Sequence, residues 1–433
     1  MKPKAGDKVK VTTQEDAFEG ILMPNEETNS IIIKLESGYN IGIDEKKVKE
    51  IVLIEKFIAN EEKENVAIEK DPKKPTIAIL HTGGTIASKV DYRTGGITPR
   101  FSPEDIIGMF PELKSIANIT SKLIANMFSE DMRFIHYTIM AKAIAEEVKN
   151  DVDGIILTHG TDTMGYSAAA LAFALEGINI PVILVGSQRS SDRGSSDAAS
   201  NLLAAAHFIT KTDFVGVAVC MHENTNDDIC AILPACKTRK LHTSRRDAFK
   251  AVNDAPIAHI NYQTGTVTFV KKDYEKKSSK RKFILKEKFE EKVGLIKSHP
   301  NMVPEQFEFF KHYKGLIIEG TGIGQAPVGN PNEHTKISEK NLAAIASLEK
   351  NGCVVVMASQ CIFGRVHMHV YSAAIDLANA GVISGEDMLS ETAFVKLSWL
   401  LANYEKKEVK DLLGKNLRGE INERLPLEEF LPW

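Results

Sequence analysis

The stretch TIAILHTGGTIAS, residues 76–88, decides the fold of the N-terminal half. Its first five residues are β-branched or apolar, which is typical of a buried strand. Gly83, Gly84 and Thr85 then follow at the end of that strand. A glycine-rich turn at a strand end has two chemical uses. Its backbone amides can bind a phosphate, or the turn can present the threonine hydroxyl for attack.

The same order of strand, polar loop and helix recurs twice more. DGIILTH (153–159) precedes GTDT and the apolar segment MGYSAAALAFALEG, and PVILVG (181–186) precedes SQRSSDRGSSD and AASNLLAAAHFIT. Strands that are apolar along their whole length and alternate with helices indicate a parallel sheet covered on both faces. The sequence therefore predicts a doubly wound α/β domain over residues 76–270.

Three further regions flank this domain. Residues 1–54 alternate apolar and polar positions between turn signals, which predicts a small all-β barrel. Residues 55–75 form a charged linker, and the lysine-rich residues 271–290 form a second linker. Residues 291–433 again alternate strands and helices, so we expect a second, smaller α/β domain.

Composition excludes several classes of protein. The chain has 433 residues, is 43% hydrophobic and 26% charged, and carries a formal net charge of −4, so bulk charge gives no reason to expect a nucleic-acid or membrane ligand. No segment approaches the roughly 18 consecutive apolar residues of a membrane span, and the N-terminus has no apolar leader. We expect a cytoplasmic protein whose five cysteines are reduced and mostly buried.

A nucleotide-binding loop is disfavoured at both glycine-rich turns. HTGGT (81–85) has no lysine after its glycines and lacks the spacing of a dinucleotide fingerprint. GTGIG (320–324) is followed by Pro327, which interrupts the place where a helix should begin. Nothing in the sequence predicts that this chain binds ATP.

A nucleophilic reaction fits the strand-end loops better. Gly83 and Gly84 allow a substrate to approach the backbone closely, their amides can stabilise an oxyanion, and Thr85 supplies a hydroxyl. The second loop places Thr161 beside Asp162. Capping of the following helix alone explains an aspartate at that position. Two threonine-bearing loops at the end of one sheet nevertheless favour a catalytic site, because capping needs only one of them.

These motifs resemble those of the bacterial-type asparaginase and glutaminase family. The resemblance rests on TGGTI (82–86) together with THGTDT (158–163), and includes Tyr92, SED (129–131) and KLHTSRRDAF (240–249). It extends roughly from Pro75 to Leu401. It implies the two-domain α/β fold and hydrolysis of a side-chain amide through an acyl-threonine intermediate.

The resemblance also implies roles for individual residues. Thr85 corresponds to the primary nucleophile, and Tyr92 to the residue that closes over the substrate. Thr161, Asp162 and Lys240 resemble a second triad in which a lysine beside a carboxylate and a hydroxyl acts as a base or activates water. From the residues alone either threonine could attack first, and Lys240 in its basic surroundings could be an ordinary surface charge.

Three other residues are expected to bind the substrate. Gly84 lies in the first loop, and Ser129 and Glu130 resemble the family's loop that holds the α-carboxylate and ammonium groups. An exposed surface acid is the alternative for Glu130. The sequence does not distinguish glutamine from asparagine, whose amides differ in distance by one methylene.

The N-terminal all-β region narrows the resemblance. A β-barrel followed by an asparaginase-like body is similar to the glutaminase subunits of archaeal tRNA-dependent amidotransferases, as are the segments 188–202 and 364–372. YSAAIDL, which begins at Tyr371, departs from that pattern. The likeness implies an E subunit that binds Glu-tRNA(Gln) and uses ATP and Mg²⁺, no cofactor in this chain, and a homodimeric core.

Alternatives remain at several points. The chain could be a free asparaginase or glutaminase with an unrelated N-terminal domain, or a non-catalytic scaffold that binds tRNA or protein. His367 and His369 alternate as a possible metal pair, but packing or hydrogen bonding is favoured because no third ligand is nearby in the sequence. The lysine-rich segment KKDYEKKSSKRK could contact tRNA phosphates, although a solvated linker explains it as well.

Overall fold

The structure is a computed structural model. It describes residues 3–23, 29–35, 40–56, 70–83, 88–90, 97–99, 103–189 and 196–425. Gly84, Thr85 and Tyr92 lie outside the described residues, as does most of the predicted charged linker 55–75.

The N-terminal region is an antiparallel five-stranded sheet, which confirms the predicted all-β domain. Its strands are β1 (Lys8–Thr13), β2 (Ala17–Leu22), β3 (Ser30–Leu35), β4 (Asn40–Asp44) and β5 (Val48–Glu55), in the order β4-β3-β2-β1-β5. Val9, Val11, Ile33 and Ile43 form its small buried core. The register of β1 against β5 shifts at two points, which bends the sheet around that core.

The second region is built on an eight-stranded sheet. Its strands in spatial order are Thr266–Phe269, Ala258–Asn261, Ile229–Pro234, Gly216–His222, Pro181–Val185, Gly154–Thr158, Thr76–His81 and Asn118–Leu123. By their numbers in chain order these are β18, β17, β14, β13, β12, β10, β6 and β9. The short strands in between are β7 (Ser88–Val90), β8 (Ile97–Pro99), β11 (Leu175–Glu176), β15 (Thr238–Lys240) and β16 (Phe249–Ala251).

The prediction of a parallel sheet holds for one part of it. Strands β9, β6, β10, β12 and β13 are parallel, whereas β14, β17 and β18 are antiparallel. Only six residues join β13 to β14, which is too short for a crossover and forces a hairpin. The three antiparallel strands therefore extend the far edge, away from the strand ends that carry the motifs.

Helices cover both faces of this sheet, as predicted. They are α1 (Pro103–Met109), α2 (Leu113–Ile116), α3 (Phe134–Lys149), α4 (Met164–Ala174) and α5 (Ala198–Lys211). α3 and α4 pack on one face, and α5 packs on the other. The first turn of α4 lies directly after the loop that contains Thr161 and Asp162.

The lysine-rich residues 271–290 connect the two α/β domains, but they are not a free linker. Tyr274 stacks on Phe269 with ring centroids 4.1 Å apart, and Arg281 Nε donates to the Ile178 carbonyl at 3.2 Å. Strand β19 (Ile284–Leu285) pairs with β11. The segment was expected to be solvated because its sequence is so basic. It packs along the first α/β domain because its backbone and aromatic groups find partners there.

The C-terminal region carries a parallel sheet of four strands in chain order. The strands are β20 (Val293–Lys297), β21 (Gly315–Gly320), β22 (Val354–Ser359) and β23 (Ile383–Ser384). The helices are α6 (Pro304–Glu308), α7 (Lys336–Lys350), α8 (Ser372–Asn379), α9 (Ser390–Asn403) and α10 (Lys406–Leu413). The turn GTGIG follows β21, and the next α-helix begins only at Lys336, so the nucleotide-loop hypothesis finds no helix to support it.

The two α/β domains share a hydrophobic core. α9 packs on α4, and the rings of Phe173 and Trp399 stack with centroids 5.4 Å apart. In the described part of the chain, no helix is both long enough and apolar enough to cross a bilayer. Four of the five cysteines are buried and Cys361 is exposed, which confirms the expectation of mostly buried thiols.

Candidate active site

The ends of β6 and β10 lie side by side at the carboxyl edge of the main sheet. Thr82 donates its backbone N–H and its Oγ1 to the Thr158 carbonyl, at 3.2 and 3.0 Å. Met127 N in turn donates to the Thr82 carbonyl at 3.2 Å. Gly83 has a φ of +109°, and a Cβ there would lie 2.4 Å from the Met127 carbonyl oxygen, so only glycine fits. Gly83 precedes Thr85 by two residues.

The turn Ser129–Asp131 is fixed against the second threonine loop. Thr163 Oγ1 donates to the Ser129 carbonyl at 2.6 Å. A Cβ on Gly160 would lie 2.8 Å from both Cβ and Oγ of Ser129, so the two loops touch without a side chain between them. Ser129 is buried and Glu130 is exposed. The structure thus places both proposed substrate-binding residues of this turn beside the loop that contains Thr161.

Lys240 reaches the same loop from the other side. Its Nζ donates to Thr161 Oγ1 at 2.9 Å and to Asp162 Oδ1 at 2.8 Å. The side chain of Lys240 is 15% exposed and that of Asp162 is 65% exposed. The structure therefore brings these three residues together, although Lys240 is 79 and 78 positions from the other two in the chain.

Two alternatives from the sequence can be compared with this geometry. The N-cap position of α4 is Thr163, and its side chain makes no capping hydrogen bond. The Asp162 carboxylate instead accepts from Lys240. Lys240 is also not a solvated surface charge, because most of its side chain is covered and its ammonium group is paired.

Glycines determine how closely these elements approach. A Cβ on Gly165, in the first turn of α4, would lie 2.9 Å from the Thr238 carbonyl oxygen, so β15 passes directly over the start of α4. A Cβ on Gly186 would lie 2.8 Å from Thr161 Cγ2. These contacts set the position of Thr161 between the β15 hairpin and the loop that follows β12.

A buried carboxylate organises the loop after β12. Asp197 accepts hydrogen bonds from Ser187 Oγ at 2.9 Å, from Gln188 N at 3.1 Å and from Arg189 N at 3.0 Å. It also accepts from Asn201 Nδ2 at 3.0 Å. The described part of this loop forms a wall of the site next to Thr161. The resemblance over 188–202 was the sequence signal for it.

Two motif histidines have structural partners that the sequence did not predict. His81 contacts Thr158 Oγ1 at 2.8 Å and Ser121 Oγ at 3.0 Å, and burial lowers its pKa to about 3. His159 contacts the Gly160 carbonyl at 2.7 Å and Ser167 Oγ at 2.8 Å, and burial lowers its pKa to about 4. Both are neutral at pH 7, because a buried imidazolium is not adequately solvated.

The chemistry of the site can be stated from its side chains. A lysine held between a hydroxyl and a carboxylate can exchange protons with either group. Among the described residues, no group of three or more histidine, cysteine and acidic side chains could hold a metal ion. His367 and His369 are both exposed in a loop rather than on a strand, and Val366 and Met368 beside them are buried.

Family models match three consecutive parts of the chain. Residues 4–54 match the GatD N-terminal domain, residues 76–274 match the N-terminal domain of asparaginase, and residues 292–413 match the glutaminase/asparaginase C-terminal domain. Among solved structures, the thermostable L-asparaginase from Thermococcus kodakarensis is similar with a TM-score of 0.70 and 27% identity, covering 81% of this chain and 100% of that chain. L-asparaginase I from Vibrio cholerae gives a TM-score of 0.68 and 28% identity, over 81% and 99% of the two chains.

Curated relatives match almost the whole chain. The D subunit of glutamyl-tRNA(Gln) amidotransferase from Methanococcus maripaludis is 45% identical over 429 residues, which is 98% of this chain and 99% of that protein. The D subunit from Pyrococcus furiosus is 44% identical over 440 residues, covering 99% and 97%. With this identity over its full length, the chain belongs to the family of glutamyl-tRNA(Gln) amidotransferase D subunits, whose body has the asparaginase fold.

Proposed function

We propose that this chain hydrolyses the side-chain amide of glutamine, or of asparagine, and releases ammonia for a tRNA-dependent amidotransferase. The observation that carries the proposal is the hydrogen bonding of Lys240 Nζ to Thr161 Oγ1 and Asp162 Oδ1 at the carboxyl edge of the main sheet. It supports the proposal because the sequence resemblance assigned catalytic roles to the same three residues. The full-length similarity to amidotransferase D subunits supports the biological context.

The first half of the reaction forms an ester. Thr85 Oγ attacks the side-chain carbonyl carbon of the substrate, and the backbone amides of the glycine turn stabilise the oxyanion. The carbon–nitrogen bond then breaks, and ammonia leaves with the proton that the threonine lost. Tyr92 assists this proton transfer and covers the substrate. The roles of Thr85, Tyr92 and Gly84 rest on the sequence motifs, since these residues lie outside the described ones.

The second half consumes water. Lys240 in its neutral form accepts a proton through Thr161, and the Asp162 carboxylate stabilises the ammonium that results. Water attacks the ester carbonyl, the carbon–oxygen bond to Thr85 breaks, and glutamate or aspartate is released. Desolvation of Lys240, whose side chain is 15% exposed, favours the neutral amine, and the adjacent carboxylate opposes that effect.

Substrate orientation is assigned to the turn beside this triad. Ser129 and Glu130 hold the α-carboxylate and α-ammonium groups of the amino acid. Glu130 is exposed and Ser129 is buried against Gly160, so one side chain is available for the ammonium while the other lies at the floor of the site. A free amino acid is therefore the proposed substrate, and the proposed reaction uses no metal or cofactor bound to this chain.

The partner converts the ammonia into product. We propose that an E subunit binds Glu-tRNA(Gln), activates its glutamyl group with ATP and Mg²⁺, and captures the ammonia to form Gln-tRNA(Gln). This chain would contact the tRNA mainly through that partner, and two copies of it would form the core of the assembly.

Ammonia release from L-glutamine tests this function directly. The purified chain is assayed alone, and then with its partner subunit, ATP, Mg²⁺ and glutamylated tRNA. Slow release that rises steeply with the partner and tRNA is expected. Rapid release that is indifferent to tRNA would show instead a free asparaginase or glutaminase, an activity consistent with the L-asparaginases of similar fold.

A variant pair tests the role of the nucleophile. Thr85→Ala removes the proposed attacking hydroxyl, and we expect no ammonia release and no covalent adduct by mass spectrometry after glutamine is added. Thr268→Ala is the matched control, because Thr268 is exposed on β18 at the far edge of the main sheet, and its loss should leave turnover unchanged. Wild-type turnover by Thr85→Ala would remove that residue from the mechanism.

A further inference from the structure

A second lysine on the same segment is bound in a different way. Lys237 lies three residues before Lys240, and its side chain is completely buried. Its Nζ donates to Asp387 Oδ2 at 2.6 Å and to the Asp387 carbonyl at 3.1 Å. Asp387 belongs to the second α/β domain and is equally buried. This contact therefore joins the segment that carries Lys240 to the other domain.

Neighbouring side chains of the segment point to opposite sides. Arg239 Nε lies 3.1 Å from Glu391 Oε1, so it contacts the second domain as Lys237 does. Lys240 contacts Thr161 and Asp162 in the first domain. Alternation of this kind is expected of a strand. One side of the segment is anchored and the other presents the reactive amine.

Strand β15 has few backbone constraints. It is three residues long, and among the described strands it pairs with β16 alone, in a two-stranded sheet separate from the main one. The ladder hydrogen bonds of so short a hairpin do not fix its position relative to α4. The side-chain anchors must supply that constraint.

Asp387 is itself held firmly in place. Asn422 N donates to Asp387 Oδ1 at 3.0 Å, and Arg365 approaches the same oxygen at 3.4 Å. Asn253 Nδ2, close to the end of β16, donates to the Asp387 carbonyl at 3.1 Å. Residue 387 thus receives hydrogen bonds from three parts of the chain besides the ammonium of Lys237.

We propose that the Lys237–Asp387 pair is a positioning element that sets the distance of Lys240 Nζ from Thr161 and Asp162. This inference rests on the proposed function and deepens it, because it assigns a task in deacylation to residues that never touch the substrate. When the pair is broken, β15 moves relative to α4, and Lys240 loses its alignment for activating water.

The test measures how the acyl-enzyme is partitioned between two nucleophiles. With glutamine and hydroxylamine, the ester carbonyl is attacked either by water, which gives glutamate, or by the hydroxylamine nitrogen, which gives γ-glutamyl hydroxamate. In both cases the bond to Thr85 Oγ breaks and that oxygen regains a proton. Hydroxylamine is the stronger nucleophile and needs less help from a base. The product ratio is independent of how much of the enzyme is folded.

Three full-length variants are compared with the wild type under the conditions that give it the highest turnover. Asp387→Asn removes the charge of the anchor. The double substitution Lys237→Met, Asp387→Leu replaces the pair by apolar side chains, which preserves the fold if the single change does not.

Glu420→Gln is the matched control. Lys396 Nζ and Glu420 Oε1 are also 2.6 Å apart and fully buried. The other hydrogen bonds of Lys396 Nζ go to the carbonyls of Leu413 and Lys415, at the end of α10 and just beyond it, rather than to β15. The control therefore breaks a pair of the same type and burial that does not anchor the segment.

We expect the ratio of hydroxamate to glutamate to rise by at least about threefold in Asp387→Asn and in the double variant, because water attack depends more on the base. The ratio in Glu420→Gln should stay that of the wild type. An unchanged ratio in both anchor variants, or the same rise in the control, would overturn the inference. Absence of hydroxamate from the wild type would instead overturn the acyl-threonine chemistry, and the inference with it.

Discussion

Lys237 and Lys240 are three residues apart on one segment, and each is paired with an aspartate at less than 3 Å. The first pair is completely buried. In the second, the lysine side chain is 15% exposed and the aspartate 65% exposed. The same two residue types therefore occur once where nothing can enter or leave, and once at an edge that a substrate and water can reach.

The difference in burial separates structure from chemistry. A buried ion pair holds both charges permanently, because either charge alone would be poorly solvated. A pair at an accessible edge can change its protonation state at a smaller cost in free energy. The presence of lysine beside aspartate is thus not evidence for catalysis. The hydroxyl of Thr161 and the access of solvent distinguish the catalytic candidate.

The largest expected effect follows from removing the accessible amine. Lys240→Met should lower the rate of ammonia release by about 10³-fold or more, since a positioned general base contributes roughly 10²–10⁴-fold. The free energy of unfolding should change by no more than about 1 kcal/mol, because the pair is partly exposed. Steady-state kinetics and urea unfolding of the same preparation measure both quantities.

The matched control for that experiment is Lys122→Met, which removes an exposed lysine paired with Glu146 at 2.7 Å. It should leave the rate unchanged. If Lys240→Met kept wild-type turnover, the comparison would fail at its catalytic end, and Lys240 would be a structural residue.

The second effect concerns stability at the buried pair. Lys237→Met leaves the Asp387 carboxylate buried without its ammonium partner, and breaking a buried pair in this way costs about 3–5 kcal/mol of unfolding free energy. Chemical denaturation would measure it. A loss as small as that of a surface pair would show that Asn422 and Arg365 alone satisfy the carboxylate, and would weaken the contrast between the two lysines.

A third effect depends on pH and on the buried histidines. Burial lowers the pKa of His81 to about 3 and that of His159 to about 4, from an ordinary value of 6.5. Below pH 6.5 the unfolded chain binds protons that the folded chain does not. Stability should therefore fall as the pH drops from about 6.5 to about 4, with a slope of about 1.4 kcal/mol per pH unit for each histidine.

His159→Gln tests this dependence. Its plot of unfolding free energy against pH should be flatter than that of the wild type, by about the contribution of one histidine. Equal slopes in the two proteins would show that His159 is not neutral in the folded state. The result bears on the comparison because it measures the cost of charging a buried group in the same loop that carries Thr161 and Asp162.

The smallest effect is expected at the surface. Breaking the pair between Lys122 and Glu146 by Glu146→Gln should change the unfolding free energy by no more than about 1 kcal/mol, because both side chains are about half exposed. A thermal melt in low and high salt measures it. A larger loss would mean that exposure does not rank these ion pairs.

The sequence predicted those parts of the fold that depend on local pattern. Continuous apolar runs identified β6, β10 and β12, and alternation identified the N-terminal sheet. The antiparallel edge of the main sheet was missed, although the short connection between β13 and β14 encodes it. The packing of 271–290 was missed because charge dominated its composition, while its contacts are made by Tyr274, Arg281 and backbone groups.

The site was predicted to a different degree at each residue. Thr161 and Asp162 are adjacent, and their position at a strand end could be inferred from the sequence alone. The approach of Lys240 depends on how a distant hairpin packs on α4, so it came only from the family resemblance. The contact of Lys237 with Asp387 spans 150 positions. No local pattern records it, and a buried lysine has the same letter as an exposed one.

The connection between the two α/β domains has a consequence for how they can be separated. The segment 271–290 pairs with β11 of the first domain, while the carbonyls of Glu290 and Lys286 accept hydrogen bonds from Ser398 and Trp399 of α9. A cut in this segment would leave each half with an exposed apolar face. The halves should consequently melt in one calorimetric transition, and neither could be exchanged as an independent module with a related protein.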